Sequence, residues 1–399
     1  MSFRSLDDAP PGHCRALVRV DFNVPMEAGG VADDSRILAA APTIERLAAA
    51  GAKILLISHL GRPDGHRVAS MSLEPVAAAA RGALGRGVAF ARDCVGAPAR
   101  EAVDRLAPGS VLLLENLRFH PGEEANDPAF ARELAANADF FVQDAFSVCH
   151  RAHASTVAIT HVLPAFAGEA MRRELEALNR TLANAARPAM AIVGGSKVST
   201  KLELLRHLIG RLDALAIGGG MANTFLYAQG RNVGDSYFEP ELAEAARQVL
   251  AEAAEKRCEI LLPTDVVVAE RAAPGVTATT RPIGDVHPGE RILDVGPETI
   301  DRLGEKIEQV RSLVWNGPLG VFEVPPFDAG TLAAAHRVAR VCRAGKLVAV
   351  AGGGDTVAAL NRAGVAGDFT FVSNAGGAFL EWMEGRRLPG VEALQNRRD

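Results

Sequence analysis

The chain has 399 residues, of which 48% are apolar, and it carries a net charge of −5, so it is long enough for two or three domains with substantial cores. The acidic balance argues against a nucleic-acid-binding protein, which usually shows a basic footprint. No apolar run approaches the roughly 18 residues that a membrane span needs, and the N-terminal segment MSFRSLDDAPPGHCR has no apolar core of the signal-peptide kind.

A unit that recurs along the chain consists of a short run of Val, Ile and Leu, an abrupt polar or glycine-rich end, and then an Ala/Leu-rich helical pattern. It appears in the first half at 16–25, 52–63, 110–123 and 139–147, and in the second half at 189–205, 214–225, 259–268, 312–323, 347–360 and 369–385. Apolar strands that alternate with helices predict βαβ units and parallel sheets buried on both faces. Because ten strands are too many for one sheet of ordinary size, we predict two α/β domains.

The boundary between the domains is predicted near GEAMRRELEALNRTLANAARP, residues 168–188. The apolar residues of this segment, Met171, Leu175, Leu178 and Leu182, are spaced like one face of a helix. A helix between two domains would act as a semi-rigid connector. The alternative is an ordinary crossover helix within one domain.

The loops that follow the strands are the candidate sites, because open α/β sheets bind ligands at the carboxyl ends of their strands. In the second half, AGGGDTVAALN (351–361) follows an apolar run but lacks the lysine of a P-loop. The segment GGSKVSTK supplies Lys197 and Lys201 instead, which would share a face if they lay on a helix.

This pattern predicts a phosphate site in which glycine-rich turns offer backbone N–H groups and the two lysines supply the cations. Asp355 would then bind Mg²⁺, which takes carboxylate and phosphate oxygens together. The alternatives are that Asp355 only caps a helix and that the lysines form a solvated helix face.

The strand ends of the first half concentrate arginine and histidine, although the chain is acidic overall. These residues, together with two polar partners, are Asp21, Asn23, Arg36, His59, Arg62, Arg118, His120, His150, Arg151 and His153. Guanidinium groups bind phosphate and carboxylate in a bidentate manner, so the pattern predicts a site for a small, multiply charged anion. The alternative for any single arginine is a surface salt bridge.

The five cysteines are scattered and form no C-x-x-C motif, which predicts reduced thiols in a cytoplasmic protein rather than a disulfide framework or a zinc site. Cys149 beside His150 would also fit a thiol nucleophile, but a cysteine that simply packs is the simpler interpretation.

Ten motifs, in order and over nearly the whole chain, resemble the phosphoglycerate kinase family. They are RVDFNVP, DSRI, SHLGRP, ENLRF, HRAHAST, GGSKVSTK, GGGMANTF, VWNGPLGVFE, AGGGDTVAAL and GGAFLEWMEG. The resemblance implies an α/β fold with two Rossmann-like parallel-sheet domains joined by a helix hinge. It implies a 3-phosphoglycerate-binding domain at 1–168, an interdomain helix at 169–187, a nucleotide-binding domain at 188–385, and a tail, 386–399, that packs back on the first domain.

The implied activity is reversible phosphoryl transfer between ATP with Mg²⁺ and the carboxylate of 3-phosphoglycerate, giving ADP and 1,3-bisphosphoglycerate. The resemblance further implies a cytosolic, glycolytic monomer without nucleic-acid or membrane partners. Transfer would be in line and would follow hinge closure. No general base is needed, because the acceptor carboxylate is already ionised at neutral pH.

The resemblance also implies the site residues. For 3-phosphoglycerate they are Asp21, Asn23, Arg36, His59, Arg62, Arg118 and Arg151. For the nucleotide they are Lys197, Lys201, Gly219, Gly220, Asn316, Glu323, Gly352, Gly353, Gly354, Asp355 and Thr356. We expect Arg36 and Lys197 to neutralise the transferring group, Gly376 and Gly377 to complete its cradle, and Glu323 to bind the ribose hydroxyls.

One segment departs from the family pattern. The family usually shows Ser-Thr-Gly-Gly-Gly before the last long helix, and this chain has SNAGG at 373–377. If Ala375 must adopt a positive φ, strain of about 1–2 kcal/mol follows. This departure supports a competing interpretation, a non-catalytic nucleotide-binding protein on the same fold. A dinucleotide-dependent oxidoreductase is the other alternative, but it requires G-x-G-x-x-G at a strand-to-helix turn, which we do not find.

Overall fold

Two six-stranded parallel sheets form the framework of the chain in a computed structural model that describes residues 3–10, 12 and 14–395. One unit contains the described residues up to Leu175 and those from Arg387 onward, and the other unit is Glu176–Arg386. The predicted fold class, α/β with two Rossmann-like parallel sheets, is confirmed.

The strands of the first unit are β1 (Arg15–Arg19), β2 (Met26–Glu27), β3 (Gly30–Val31), β4 (Lys53–Ile57), β5 (Val88–Ala91), β6 (Val111–Leu114), β7 (Phe140–Gln143) and β8 (Ala165–Ala167). Its helices are α1 (Ser35–Ala39), α2 (Ala41–Ala49), α3 (Glu74–Ala83), α4 (Gly96–Arg105), α5 (Pro121–Glu124) and α6 (Pro128–Ala135). Short 3₁₀ turns lie at Leu6–Asp8, Ala69–Met71, Leu117–Phe119, Phe146–Val148 and Ala158–His161.

The main sheet of this unit has the order β5-β6-β4-β1-β7-β8, and every neighbouring pair is parallel. Successive residues of β1 serve opposite faces: Val18 joins one buried apolar cluster and Leu17 joins the other. The strands are therefore apolar without alternation, because helices cover both faces of a parallel sheet. Strands β2 and β3 form a separate antiparallel hairpin.

Helix α7 (Glu169–Leu178) continues into a π-helical turn, Asn179–Ala183. The division between the two units falls after Leu175, inside α7. The predicted connector covered 169–187. The first seven of the ten residues of α7 belong to the first unit, and the π-helical turn packs against strands of the second unit.

The strands of the second unit are β9 (Ala189–Val193), β10 (Ala214–Ile217), β11 (Glu259–Leu261), β12 (Asp265–Ala269), β13 (Thr279–Pro282), β14 (Arg291–Val295), β15 (Ser312–Asn316), β16 (Val348–Gly352) and β17 (Phe371–Ser373). Its helices are α8 (Leu202–Ile209), α9 (Gly220–Ala228), α10 (Ala243–Glu255), α11 (Pro297–Gln309), α12 (Ala329–Arg343), α13 (Gly354–Arg362) and α14 (Gly377–Met383). Two 3₁₀ turns lie at Pro240–Leu242 and Ala366–Asp368.

The parallel sheet of this unit has the order β11-β10-β9-β15-β16-β17, and β13-β12-β14 form a smaller antiparallel sheet. The segment 259–268, which we predicted as one strand, is split between the two sheets. Pro263 lies at the break, where its missing N–H cannot continue a ladder of hydrogen bonds.

The chain beyond the second unit returns to the first unit as α15 (Pro389–Gln395). The backbone N–H of Gly390 donates to the carbonyl of Cys149 at 2.9 Å, and Leu388, Val391 and Leu394 are buried. Of the predicted tail 386–399, residues 396–399 lie outside the described residues, as do residues 1, 2, 11 and 13 of the first predicted domain. Among the described helices, none combines the length and the apolar character that crossing a membrane requires.

Candidate active site

A hydrogen-bonded cluster of polar side chains, the candidate anion pocket of the first unit, lies at the carboxyl ends of β1, β4 and β7. The Asp21 carboxylate accepts hydrogen bonds from Arg36 Nη1 at 2.7 Å and from Ser147 Oγ at 2.6 Å. Arg36 Nη1 also donates to the backbone carbonyl of Asn23 at 3.1 Å. Both bonds of Arg36 use one nitrogen, so this guanidinium, which has five N–H donors, retains donors for an anion.

The Asn23 side chain links this pair to the next loop, because its Oδ1 accepts from the N–H of Gly61 at 3.0 Å. The carbonyl of Gly61 in turn accepts from Arg118 Nη1 at 2.8 Å. Gly61 therefore links the two side chains: its N–H donates to Asn23, and its carbonyl accepts from Arg118. The arrangement holds Arg118 beside Asn23 and Arg36.

Positive charge accumulates around Arg118, which is 5% exposed. Burial lowers its pKa, and the neighbouring guanidinium groups of Arg151 and Arg62 lower it further, while Glu124 opposes the shift. Cations that depress one another's pKa form a site that favours a multiply charged anion. The structure therefore brings together all seven residues predicted for the first site, although Arg62 is exposed.

His59 lies buried at the base of this pocket. Its pKa is well below the ordinary value, first because of burial and then because of Arg19, Arg118, His153 and Arg36. Burial likewise lowers the pKa of His153 to about 4. Both imidazoles are therefore neutral at physiological pH.

The sequence prediction missed a buried ionic network beneath the pocket. Arg19 is 1% exposed and Glu123 is fully buried. Arg19 Nε donates to Ser155 Oγ at 3.0 Å, and Ser155 Oγ donates to the Glu123 carboxylate at 2.5 Å. The available signal was an arginine inside the otherwise apolar strand ALVRV, two residues before Asp21, since charged residues are almost never fully buried without a partner.

In the second unit, three helices begin along the carboxyl edge of the parallel sheet, and each has a glycine as its N-cap. Gly219 precedes α9 with φ of 67°, Gly353 precedes α13 with φ of 100°, and Gly376 precedes α14 with φ of 46°. Glycine adopts these backbone conformations without strain. Helix N-termini present free N–H groups and partial positive charge, which together favour phosphate.

Lys201 lies at the centre of this edge, where it bridges the ends of β9 and β15. Its Nζ donates to the carbonyl of Gly194 at 2.7 Å and to Asn316 Oδ1 at 2.5 Å. Burial lowers its pKa to about 8, and the Asp355 carboxylate partly opposes that shift. Asn316 Nδ2 donates to the carbonyl of Gly352 at 2.8 Å, so Lys201, Asn316 and the start of the GGGDT turn form one connected group.

The expectation that Lys197 and Lys201 share a helix face is wrong. Residues 194–201 form a loop, and α8 begins only after Lys201, which is its N-cap. The loop is held away from helical geometry because Ser199 bonds through both N–H and Oγ to Glu239. Lys197 is exposed on this loop, and no hydrogen bond joins its side chain to the other predicted residues in the described part of the chain.

Asp355 is the second residue of α13, whose N-cap is Gly353, so the alternative that Asp355 caps the helix is wrong. Its side chain is exposed and lies close enough to Lys201 to raise the lysine's pKa. Thr356, by contrast, is buried and accepts from the N–H of Gly317 at 2.7 Å. Thr356 therefore supports the turn, while Asp355 is available to a ligand.

A cavity of about 310 Å³ adjoins these helix starts within the second unit. Four predicted residues, Gly219, Gly220, Glu323 and Asp355, line it. The remaining wall is largely apolar and includes Val266, Ile292, Leu293, Val295, Leu319 and Val321. The antiparallel strands β12 and β14 supply part of this wall, and the sequence patterns did not reveal the β13-β12-β14 sheet.

The SNAGG segment does not carry the strain that a left-handed alanine would cause. The positive φ falls on Gly376, and Ala375 does not have a positive φ. Ala375 is 6% exposed, and its N–H donates to Ser373 Oγ at 3.1 Å. The extra Cβ is therefore accommodated by packing.

Cys149 is not a nucleophile in this structure. Its thiol is fully buried, and burial raises its pKa far above the ordinary value, so almost none of it is thiolate. The packing interpretation of this residue is therefore the right one.

Comparison with known proteins identifies the family. The family model described as phosphoglycerate kinase matches residues 6–386. The chain is 58% identical over 396 residues to a phosphoglycerate kinase of Caulobacter vibrioides (strain NA1000 / CB15N), covering 99% of this chain and 100% of that relative. It is 56% identical over 394 residues to the phosphoglycerate kinase of Azorhizobium caulinodans, covering 99% of each.

Solved structures agree with this result. The structure of phosphoglycerate kinase from Coxiella burnetii has a TM-score of 0.92 at 40% identity and covers 99% of each chain. That of the kinase from Pyrococcus horikoshii OT3 has a TM-score of 0.82 at 29% identity, covering 99% of this chain and 98% of that one. The ordered motifs, the two parallel sheets and these similarities lead to one conclusion: this chain belongs to the phosphoglycerate kinase family.

Proposed function

We propose that this protein catalyses reversible phosphoryl transfer between ATP and the carboxylate of 3-phosphoglycerate, as a cytoplasmic monomer. Membership of the family supports the kinase activity and its place in glycolysis. The observation that carries the nucleotide half of the proposal is the row of three glycine-capped helix starts with Lys201 among them.

The nucleotide binds, on this proposal, with its base in the apolar cavity and its phosphates at the helix starts. Base and phosphate sites are continuous, because Gly219 and Gly220 belong both to the cavity wall and to the start of α9. Glu323, at the cavity wall, accepts from the ribose hydroxyls. Lys201 and Asn316 steady the phosphate chain, while the exposed Lys197 neutralises the transferring group together with Arg36.

Mg²⁺ fits the donor set beside Asp355. The carboxylate is exposed and stands at a helix start that favours phosphate oxygens, and Mg²⁺ is bound by one or two carboxylates together with substrate phosphates. When bound, the ion neutralises phosphate charge. Residues of this chain then supply the remaining positive charge and the N–H donors.

The acceptor, 3-phosphoglycerate, binds in the first unit among Arg36, His59, Arg62, Arg118 and Arg151. Its phosphate and carboxylate are both anionic at neutral pH, which matches a pocket where burial, and then the guanidinium groups of Arg151 and Arg62, lower the pKa of Arg118. Because the attacking carboxylate is already ionised, no base has to remove a proton from it. Transfer then depends on positioning and charge neutralisation, in a closed state that excludes water from the acyl phosphate.

The test is a coupled assay with ATP, Mg²⁺ and 3-phosphoglycerate in which a dehydrogenase consumes NADH. We expect a rate that requires all three components, and a kcat at least about 100-fold lower in Arg36→Ala, because that change removes a cation from the transition state. Arg105→Ala is the matched control, since Arg105 is highly exposed and pairs with the exposed Glu101.

An unchanged kcat in Arg36→Ala would remove Arg36 from the transfer step. No rate in the wild type, together with calorimetric binding of ATP and Mg²⁺, would instead favour a nucleotide-binding protein without kinase chemistry.

A further inference from the structure

Arg19 is a fully enclosed cation directly beneath the proposed 3-phosphoglycerate pocket. It ends β1, and only 1% of its surface is exposed. It therefore cannot contact the substrate itself. A buried charge of this kind is unfavourable unless it is paired and hydrogen-bonded, and each nitrogen of this guanidinium has a partner.

Two of its three nitrogens are committed to fixed partners. Arg19 Nε donates to Ser155 Oγ at 3.0 Å, and Nη1 donates to the carbonyl of Val20 at 2.5 Å. Ser155 is itself held by the buried Glu123, through its N–H at 3.0 Å and its Oγ at 2.5 Å. These hydrogen bonds therefore fix the orientation of the Arg19 guanidinium plane.

The third nitrogen, Nη2, lies 3.0 Å from Nδ1 of His59. Arginine has donors only and no acceptor, so His59 Nδ1 must be the acceptor and cannot carry a proton while this bond exists. A neutral imidazole then carries its proton on Nε2.

We propose that Arg19 is a positioning residue that holds His59 as the Nε2–H tautomer, so that His59 gives 3-phosphoglycerate one neutral, directed N–H donor. The inference deepens the proposed function and rests on it. On this proposal the pocket contains two kinds of group. The arginines neutralise the charge of the substrate, and the N–H of His59 orients it.

The electrostatics around His59 agree with this assignment. Burial is the largest influence that lowers its pKa, followed by Arg19 on β1, Arg118 on the 3₁₀ turn Leu117–Phe119, His153, and Arg36 on α1. The imidazole therefore stays neutral through the physiological range. A second proton, which would displace the Arg19 bond from Nδ1, is excluded there.

The direct test is ¹⁵N NMR of the full chain labelled only in histidine, with His59→Gln used to identify the His59 signals. Between about pH 6 and 8, where free histidine titrates, we expect Nδ1 to give the signal of an unprotonated nitrogen and Nε2 that of a protonated one. A proton on Nδ1, or a charged ring at pH 7, would overturn the assignment.

Addition of 3-phosphoglycerate to the same sample tests the second half of the proposal. The Nε2 resonance should shift and Nδ1 should remain unprotonated. If His59 is the Nε2–H tautomer but its Nε2 resonance does not shift when 3-phosphoglycerate is added, the donor role is overturned. This outcome is distinct from failure of the proposed function, which the absence of kinase turnover by the wild type would show.

Variants at Arg19 give a kinetic readout. Arg19→Gln introduces an amide whose oxygen can turn toward His59 Nδ1, so the tautomer of His59 is no longer fixed. KM for 3-phosphoglycerate should then rise about tenfold, while KM for ATP should stay the same. Arg19→Lys keeps a group with donors only and should restore the Nε2–H tautomer and most of the affinity. Arg15→Gln, at the exposed start of the same strand, is the control.

A merely structural role for Arg19 predicts a different pattern. In that case both substitutions would raise KM for the two substrates alike and would leave the His59 tautomer unchanged. If Arg19→Gln does not fold, the NMR experiment on the wild-type chain still decides the assignment.

Discussion

Single side chains set the electrostatics of the nucleotide edge, and Lys201 is the clearest case. It is half-buried, it bonds to Gly194 and Asn316, and its pKa is lowered to about 8. A lysine with that pKa is charged at neutral pH and becomes neutral when the pH rises above about 8. Its contribution to binding an anionic nucleotide must therefore depend on pH.

We expect KM for ATP to rise as the pH passes through about 8, because Lys201 is protonated below that value and neutral above it. In Lys201→Met, KM should be higher throughout and should lose this step. The measurement is a KM profile for ATP at saturating 3-phosphoglycerate. Lys346→Met, an exposed lysine on a distant turn, should keep the wild-type step, and a Lys201→Met profile that also kept it would contradict the prediction.

The residue types of both sites could be predicted from the sequence, because polar and glycine residues follow apolar strands at a shared edge. Their local geometry could not. Lys197 and Lys201 have a helical spacing, but Ser199 binds Glu239, which is 40 positions away, and holds the segment as a loop. Glu123 was missed for the same reason, since its burial depends on distant partners. Arg19 left a local signal, an arginine inside an apolar strand, but that signal does not show which residues it pairs with.

Two helices of the candidate nucleotide site begin at glycines that are a steric requirement. A Cβ on Gly219 would lie 2.6 Å from the carbonyl oxygen of Gly195, and one on Gly353 would lie 2.7 Å from Asn316 Nδ2. The start of α9 is thus packed against the loop after β9. Widening that contact would displace the free N–H groups at the start of α9, which we propose bind the phosphates.

Gly219→Ala should raise KM for ATP by about tenfold or more, because it adds a backbone clash to the usual left-handed strain of about 1–2 kcal/mol. Gly364→Ala is the matched control, since Gly364 has φ of 68°, nearly that of Gly219, but open space around its Cβ position. Both variants place a Cβ at a positive φ, and KM for ATP tests whether the clash at position 219 has an effect beyond that. Equal KM values for the two would show that strain alone matters at position 219.

Helix α7 receives its N-terminal hydrogen bonds from other elements. Asp144 Oδ1 accepts from the N–H groups of Ala170 at 2.9 Å and Met171 at 3.3 Å, and Thr43 Oγ1 accepts from that of Glu169 at 2.8 Å. Burial raises the pKa of Asp144 to about 7. The cap of this helix is therefore an aspartate that titrates near neutrality.

The sign of the resulting pH effect follows from that pKa. The folded state holds the Asp144 proton up to about pH 7 and the unfolded state releases it near pH 4, so stability falls as the pH rises between these values. Asp144→Asn keeps the acceptor and should flatten this fall, which is on the order of a few kcal/mol. In Asp144→Ala the free energy of unfolding at low pH should be lower by about 1–2 kcal/mol, because the helix loses its N-terminal acceptor.

Urea unfolding at pH 5 and pH 8 measures both effects. Asp127→Asn changes a partly exposed N-cap aspartate on α6 and serves as the control, which should leave the pH dependence of stability unchanged. An unaltered pH dependence in Asp144→Asn would assign the fall to other groups.

Most parallel strands could be predicted because each is an apolar run with a clear end. The elements that escaped prediction are short or lie outside the repeating unit. Strand β8 has three residues, and β13 reads TTRP, with no apolar residue to bury except its proline. Pairing with a neighbour defines such strands, and pairing partners are not visible in a local pattern.

At the scale of the whole molecule, the first unit is discontinuous in sequence. It consists of the chain up to Leu175 and the segment that begins at Arg387, with all of the second unit between them. Helix α15 covers the backbone of Cys149, whose side chain is fully buried. A Cβ on Gly390 would lie 2.9 Å from Cys149 Cα, so the fit is close.

A chain truncated after Arg386 should lose stability in the first unit and expose Cys149. We expect one additional thiol to react quickly with a disulfide reagent, because the thiol loses the burial that raises its pKa. Cys149→Ala in the truncated chain should abolish the additional reaction. If the truncated chain reacts like the full chain, α15 does not protect this cysteine.

The position of α15 also has a consequence for synthesis. A ribosome makes the first sheet early, yet the helix that completes that unit is translated only after the entire second unit. The second unit is contiguous and has all its parts as soon as it emerges. The first unit must wait for α15 to be released, so the second unit can be complete before the first, which is the reverse of their order along the chain.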